Sequence, residues 1–341
     1  VFPVKELKAW FLQAKRSLPW RLSPTPYSVW ISEVMLQQTQ VKVVIPYFLT
    51  WMERFPTVEA LAQAPLQEIL KVWEGLGYYS RARRLHEAAQ YIVQQFQGIL
   101  PSDPQQLATI PGIGPYTQGA ILSFAFHQKA AAMDGNVLRV LARYFGIEDP
   151  IDKSTTQRQI LSLLESLLPD EEPWVIAEAL IEFGALVCTK QAQCELCPLQ
   201  SGCLAYQQGR ASELPHKAKL PGAMKLVRRV AVIMCQGRYL AIRRPPGEVM
   251  ADLYEFPYLD QHEGELEATL SERFEFSLTY QSPLKIQSHS FTIYRVRLEP
   301  HLFLAASYGR YETWYTLDEL EQLPFSSGHR RILQDLFLMV F

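Results

Sequence analysis

Cys188-Thr-Lys-Gln-Ala-Gln-Cys194-Glu-Leu-Cys197-Pro-Leu-Gln-Ser-Gly-Cys203 gathers four of the chain's five cysteines into one short segment. The spacing is Cys-x5-Cys-x2-Cys-x5-Cys. Zinc ribbons favour two close Cys-x2-Cys knuckles divided by a longer loop, and here only the central pair is close. Four thiolates without a neighbouring histidine suit a [4Fe–4S] cluster better than zinc, which stays open as the alternative. The segment is too short to bury a core of its own, so a metal centre would hold it together. Four cysteine ligands leave no open iron, which implies a structural role. The fifth cysteine, Cys235, lies in an apolar strand-like run and reads as core.

Upstream of this segment the chain reads as helix. Val29, Trp30, Val34 and Met35 recur at helical spacing, as do Val137, Val140, Leu141, Tyr144 and Phe145. Downstream, from about 204 to 224, the pattern lapses into Gln-Gln-Gly, Leu-Pro-His and Leu-Pro-Gly. Beyond it, Val230–Met234 and Tyr239–Arg243 flank a turn at Gln236-Gly237 and predict a hairpin. A helix over Glu265–Phe274, a strand over Phe291–Leu298 and a C-terminal helix complete a small α+β domain. The expected organisation is a mainly α domain over 1–210 that includes the cysteine loop 188–203, a linker over 211–224, and the α+β domain over 225–341.

With 341 residues, 48% of them hydrophobic, the chain is ample for two cores. Its net charge of −2 provides no overall basic field, so a polyanion would have to be met by local clusters such as Arg81, Arg83 and Arg84. No signal-peptide pattern opens the chain, and no apolar run reaches the ~18–20 residues of a membrane span. A cytoplasmic location is expected. Its reducing conditions argue against disulfides among the clustered cysteines.

Three further features carry chemistry. Ile110-Pro-Gly-Ile-Gly-Pro-Tyr-Thr117 joins two helical segments. Gly112 and Gly114 permit positive φ, and the turn would aim backbone N–H groups at a phosphate. Glu33 lies in a helix apolar around most of its circumference, with Thr25 as cap and Pro26 at its first position. Burial would raise the pKa of that carboxyl and leave a proton on it near neutrality, as a general acid requires. Asp134 opens Asp-Gly-Asn-Val-Leu-Arg as a helix N-cap. An ionised, rigidly held carboxylate there would suit a group that faces a passing cation.

Together these segments resemble the helix–hairpin–helix DNA glycosylases that carry an iron–sulfur cluster and, more narrowly, the adenine DNA glycosylases of the MutY type. The match runs in unbroken order over about residues 4–210. Besides the hairpin and the cysteine loop, it rests on Leu18-Pro-Trp-Arg21, Ser32-Glu-Val-Met-Leu-Gln-Gln-Thr39, Gly75-Leu-Gly-Tyr-Tyr-Ser-Arg81, Met133-Asp-Gly-Asn-Val-Leu-Arg139 and Glu178-Ala-Leu-Ile-Glu-Phe-Gly184. The resemblance implies a base-excision-repair enzyme, a monomer associated with the bacterial nucleoid, that hydrolyses adenine from duplex DNA opposite 8-oxoguanine or guanine. Glu33 would protonate the adenine and then help activate water. Asp134 would stabilise the sugar cation, with Tyr116 supporting it and Asn136 beside it. Trp20, Arg21, Leu36 and Glu178 would wall the pocket for the everted base, and Gln38 and Tyr78 would enter the duplex. Cys188, Cys194, Cys197 and Cys203 would hold the [4Fe–4S] cluster, with one residue fewer between the first two than the family pattern has. Relatives that also cut the strand place a lysine where this chain has Tyr116.

Residues from about 225 resemble the family's Nudix-like domain, through Asp252-Leu-Tyr-Glu-Phe-Pro257. The acidic, magnesium-binding Nudix box is missing, so nucleotide hydrolysis is not expected. In the family this domain recognises 8-oxoguanine through a Phe-Ser-His loop. In His289-Ser-Phe-Thr-Ile293, Phe291 and Thr292 match it and Ile293 replaces the histidine. A second alignment uses Ser288-His289 and puts Gln287 in the phenylalanine's place. A bifunctional glycosylase/AP lyase of the same fold and a non-catalytic iron–sulfur DNA-binding protein are the rival readings.

Overall fold

The computed structural model describes residues 2–218, 222–291, 293–309 and 313–340. The chain divides into two compact units, Val1–Gln63 with Arg84–Lys219, and Ala64–Arg83 with Leu220–Phe341.

The first unit is helical. Helix Pro26–Leu36 starts at a capping box, in which Thr25 accepts from the Ser28 amide and the Ser28 side chain accepts from the Thr25 amide. Every residue from Tyr27 to Met35 is buried, as expected of a helix apolar on all sides. Helix Gly135–Tyr144 is capped by Asp134, and helix Pro173–Leu186 packs against it. Gly184 permits that approach, since a Cβ there would lie 2.6 Å from the Asn136 Cβ. Phe11, Val137, Leu141, Ile160, Leu164, Leu180 and Phe183 fill the core between these helices and helix Ser154–Leu167.

The segment read as a linker is fastened over its first half to this unit. Arg143 Nε donates to the Leu214 carbonyl at 2.7 Å, Ile151 N to His216 O at 3.0 Å, and Ala218 N to Asp152 Oδ1 at 2.9 Å. Pro, Gly and polar composition marks where regular structure stops; it does not report whether the chain is docked.

The second unit is built on a mixed sheet. Its strands are β1 (Met224–Cys235), β2 (Arg238–Leu240), β3 (Ile242–Arg243), β4 (Tyr254–Glu255), β5 (Tyr258–Asp260), β6 (Leu278–Pro283), β7 (Gln287–Phe291), β8 (Tyr294–Ala305) and β9 (Trp314–Tyr315). The order is β6-β8-β1-β2-β9, with β5 on β1, β7 on β8, and β3–β4 as a separate pair. β1 and β8 run parallel from Met224↔Tyr294 to Met234↔Leu304. Along β1, Val230 and Val232 face the cluster that includes helix Ser327–Val340, while Ala231 and Ile233 face the one that includes helix Leu266–Phe274. Burial on both faces explains the unbroken apolar run.

The β1–β2 hairpin turns at Gln236 (φ 47) and Gly237 (φ 79), both left-handed, which matches the twist of the flanking strands. The strand expected over Phe291–Leu298 is instead interrupted. β7 and β8 are antiparallel and close on Phe291↔Tyr294. Isoleucine at the turn position 293 has strand chemistry, so periodicity alone does not reveal the reversal. Thr292, expected at a recognition site, lies outside the described residues.

Residues 64–83 pack with this sheet unit. Glu74 accepts from Arg330 Nε at 2.7 Å, from Arg330 Nη2 at 3.0 Å and from the Phe325 amide at 3.0 Å, and the Tyr79 hydroxyl donates to the Phe325 carbonyl. Among the described residues, no helix is long and apolar enough to cross a membrane.

Candidate active site

The first unit encloses a cavity of about 520 Å³ that brings together Glu33, Tyr116, Asp134, Asn136, Trp20, Arg21, Leu36, Gln38 and Glu178. Glu33 enters from the buried helix and is only 7% exposed. Tyr116, at the start of helix Pro115–Ala120, donates a hydrogen bond to Glu33 Oε2. Burial pushes the Glu33 carboxyl up to about 7. The Tyr116 bond pulls it down, Asp134 and Glu178 push it further up, and Arg21 pulls it down. Burial and the two carboxylates hold the Tyr116 phenol far above its ordinary range, so it remains a neutral donor.

Asp134 is held on both oxygens. Oδ1 accepts from Asn136 N at 2.9 Å and Val137 N at 2.8 Å, and Oδ2 accepts from Asn136 Nδ2 at 2.6 Å. Burial raises its pKa from the ordinary value, and these bonds oppose the rise without cancelling it. Arg139 fixes Asn136 in turn: its Nη2 donates to Asn136 Oδ1 at 2.7 Å and to the Gly184 carbonyl at 2.8 Å.

The far wall is ionic. Arg21 donates through Nε to Glu178 and through Nη2 to Glu182 at 3.1 Å, and Arg16 donates twice from its side chain and once from its backbone to Glu182. Glu182 is completely buried. Burial alone would raise its pKa, but the arginine bonds prevail and set it at about 2. Sequence reasoning missed Glu182, Arg16 and Gln37, whose amide donates to Thr117 Oγ1 at 3.4 Å. Glu182 was detectable as a second acid, one helical turn past Glu178, in an otherwise apolar run.

Gln38 sits exposed at the cavity's edge with φ 59. Left-handed backbone is uncommon for a non-glycine residue, and such strain gathers at sites where a ligand is met. In the hairpin, Gly112 has φ 79 as expected, whereas Gly114 has φ −89 and serves as N-cap of helix Pro115–Ala120, so only one of the two glycines needs its freedom of sign. Both are exposed, and Ile113 between them is buried.

The four clustered cysteines line one small cavity with Arg143. Arg143 Nη1 approaches Cys188 Sγ at 3.4 Å and also donates to the Thr189 carbonyl. Burial pushes the Cys197 thiol up to about 11 and raises Cys194 and Cys203, so a cation must draw off their protons before they ligate. Among the described residues, no three Cys, His or acidic side chains converge as they would on a single ion. The lining of that cavity offers four thiols and no histidine, the donor set that a four-cysteine metal centre takes.

Tyr78 and Phe291 lie in the other unit. They line a cavity of about 630 Å³ with Arg83, Val249, Met250 and Ser290. Tyr78 is 47% exposed at φ 49, and its ring carries the Arg81 guanidinium at 5.6 Å. The Gln287 of the second alignment is buried, and its amide donates to Asp335.

Residues 31–166 match the family model of the HhH-GPD superfamily base excision DNA repair protein, and residues 229–335 match the NUDIX domain. Adenine DNA glycosylase of Buchnera aphidicola subsp. Schizaphis graminum is 31% identical over 343 residues, covering 98% of each chain. The protein of the same name from Buchnera aphidicola subsp. Baizongia pistaciae is 42% identical over 59% of this chain and 57% of its own length. The Rattus norvegicus one is 44% identical over 62% and 43%. This chain therefore spans about half the length of those two relatives. Among solved structures, a thermostable thymine-DNA glycosylase superposes with TM-score 0.56 at 28% identity, covering 60% of this chain and 95% of that one. A trapped endonuclease III–DNA covalent intermediate superposes at 0.53 and 25%, covering 60% and 94%.

Proposed function

The chain belongs to the adenine DNA glycosylase family, and from that premise we propose that it hydrolyses the N-glycosidic bond of adenine opposite 8-oxoguanine or guanine in duplex DNA, leaving an intact abasic strand. The observation that carries this reading is Glu33, a carboxyl poised at about 7 and hydrogen-bonded by Tyr116 in the cavity that also holds Asp134.

A stacked base cannot reach this cavity, so the adenine nucleotide is everted into it. Protonated Glu33 donates to a ring nitrogen, which turns a poor leaving group into a good one. The bond breaks toward a cationic sugar. Asp134, fixed by Asn136 and the helix N-terminus, presents negative charge to that cation. Glu33, now ionised, accepts a proton from the incoming water. Tyr116 has no amine and cannot form a Schiff base with the sugar, which supports hydrolysis without strand cleavage. In this reading Gly112 and Gly114 let the backbone approach a phosphate, and Gln38 and Tyr78 fill the duplex gap. The cavity beside Tyr78 and Phe291 is the candidate receiver of the opposing base. Cys188, Cys194, Cys197 and Cys203 would hold a [4Fe–4S] cluster whose contribution is to fix the loop.

The test is a duplex carrying adenine opposite 8-oxoguanine, incubated with enzyme and then treated with hot alkali. Cleavage that appears only after alkali supports the reading. Cleavage without alkali, with borohydride trapping of an adduct, would favour the lyase; no cleavage would favour a binding protein.

A further inference from the structure

The helical unit holds a second cavity, of about 380 Å³, next to the excision cavity. Four residues, Arg16, Arg21, Phe124 and Glu178, border both, so one layer of side chains separates them. The polar part of that partition is the Arg21–Glu178 ion pair together with Arg16. Arg21 has a second carboxylate in Glu182, which is itself locked by Arg16. Parting from Glu178 therefore does not strand a buried cation, whereas parting from both would.

The second cavity is furnished for a flat, weakly polar heterocycle. Trp174 and His127 line it as a stacked pair, with ring centroids 4.4 Å apart and planes at 26°. Aromatic faces of this kind hold nucleobases by stacking. His127 is kept at φ 55, a backbone conformation that a non-glycine residue adopts only where its surroundings enforce it. Leu12 and Leu22 form an apolar rim open to solvent, 54% and 73% exposed.

Hydrolysis of an everted nucleotide leaves the abasic sugar standing where the base came in. The free base then lies behind its own strand. Gln38, at the DNA-facing edge, borders the excision cavity and, among the described residues, not the second one. We propose that the second cavity is the exit chamber for the excised purine. The base passes the Arg21–Glu178 partition, stacks on Trp174 and His127, and leaves past Leu12 and Leu22 while the abasic strand stays bound. This rests on the proposed glycosylase activity.

The experiment uses full-length enzyme and a duplex with radiolabelled adenine opposite 8-oxoguanine under single-turnover conditions. Bond cleavage is scored with alkali, and free base is separated from the enzyme–DNA complex by rapid gel filtration. The expected result is that wild-type enzyme releases adenine before the abasic duplex. Leu22→Trp and Leu12→Trp, tested separately because both replace exposed side chains, should keep the cleavage rate and slow base release about tenfold. The proposal is overturned if wild-type enzyme holds the base until the DNA leaves, or if both plugged variants cleave and release base at the wild-type rate. Absence of adenine excision by wild-type enzyme would overturn the proposed function itself, and this inference with it.

Discussion

The Tyr116 hydroxyl donates to Glu33 Oε2 across 83 residues of sequence, and through that bond a neutral phenol moderates the proton affinity of a buried carboxyl. Burial raises Glu33 to about 7 although the bond lowers it. Tyr116→Phe removes the lowering contribution, so the Glu33 pKa rises. The basic limb of the single-turnover excision profile, where the acid loses its proton, should move to higher pH by about one to two units, because a hydrogen bond to a charged group contributes about 1.5–3 kcal/mol. Glu33→Gln cannot donate the proton and should lower the rate at least ~10²-fold at every pH. An unshifted profile in the phenylalanine variant would remove Tyr116 from this role.

The same carboxyl is a thermodynamic burden. Its folded pKa, about 7, lies above the unfolded value, so the stability it contributes is complete below the unfolded pKa and is lost as pH rises through about 7. Glutamine carries no such dependence. Glu33→Gln should therefore be inactive yet more resistant to urea than wild type at pH 8.5, with the advantage gone at about pH 4, below the unfolded glutamate pKa. Denaturation midpoints at the two pH values decide it. Equal midpoints at pH 8.5 would mean that the native carboxylate is hydrated after all.

Glu182 titrates in the opposite sense. Its pKa is depressed to about 2, so it stabilises the fold above the unfolded carboxylate value, and that contribution is lost as pH falls from about 4 through 2. Glu182→Gln leaves Arg16 and Arg21 in a buried wall with a weakened acceptor. Breaking a buried pair from one side costs about 3–5 kcal/mol. The variant should lose stability of that order at pH 7, measured by chemical denaturation, with the difference shrinking as pH falls below about 4. A loss under 1 kcal/mol would show that the two arginines re-solvate.

Much of this site could be read from residues close together in sequence. The cap at Thr25, the buried circumference around Glu33 and the N-cap role of Asp134 follow from local chemistry, and all three are present. What local chemistry does not contain is pairing over long separations. The Arg16–Glu182 lock spans 166 residues; Arg16 alone reads as an ordinary surface charge, and the apolar run around Glu182 marks the acid without identifying its partner. The fastening of residues 211–218 and the packing of 64–83 with the sheet unit are of the same kind. At Phe291–Tyr294, strand-forming residues run through a turn, and only cross-strand register reveals it.

Arg139 links the two chemical centres of the helical unit. Its Nε donates to the Cys188 carbonyl at 2.8 Å, and its Nη2 donates to Asn136 Oδ1, while Asn136 holds both the backbone and side-chain bonds to Asp134. A guanidinium can satisfy these acceptors together because its donors are fixed in one plane, which an ammonium cannot match. Arg139→Lys should then disturb both ends at once. Excision should fall at least about tenfold through misplacement of Asp134, and limited proteolysis within 188–203 should speed up in the same variant. Asn136→Ala should reproduce the loss of excision without the proteolysis, since its tie to the cysteine loop runs only through Arg139. If Arg139→Lys alters excision and leaves the loop as resistant as in wild type, the two centres are held independently and the link has no mechanical consequence.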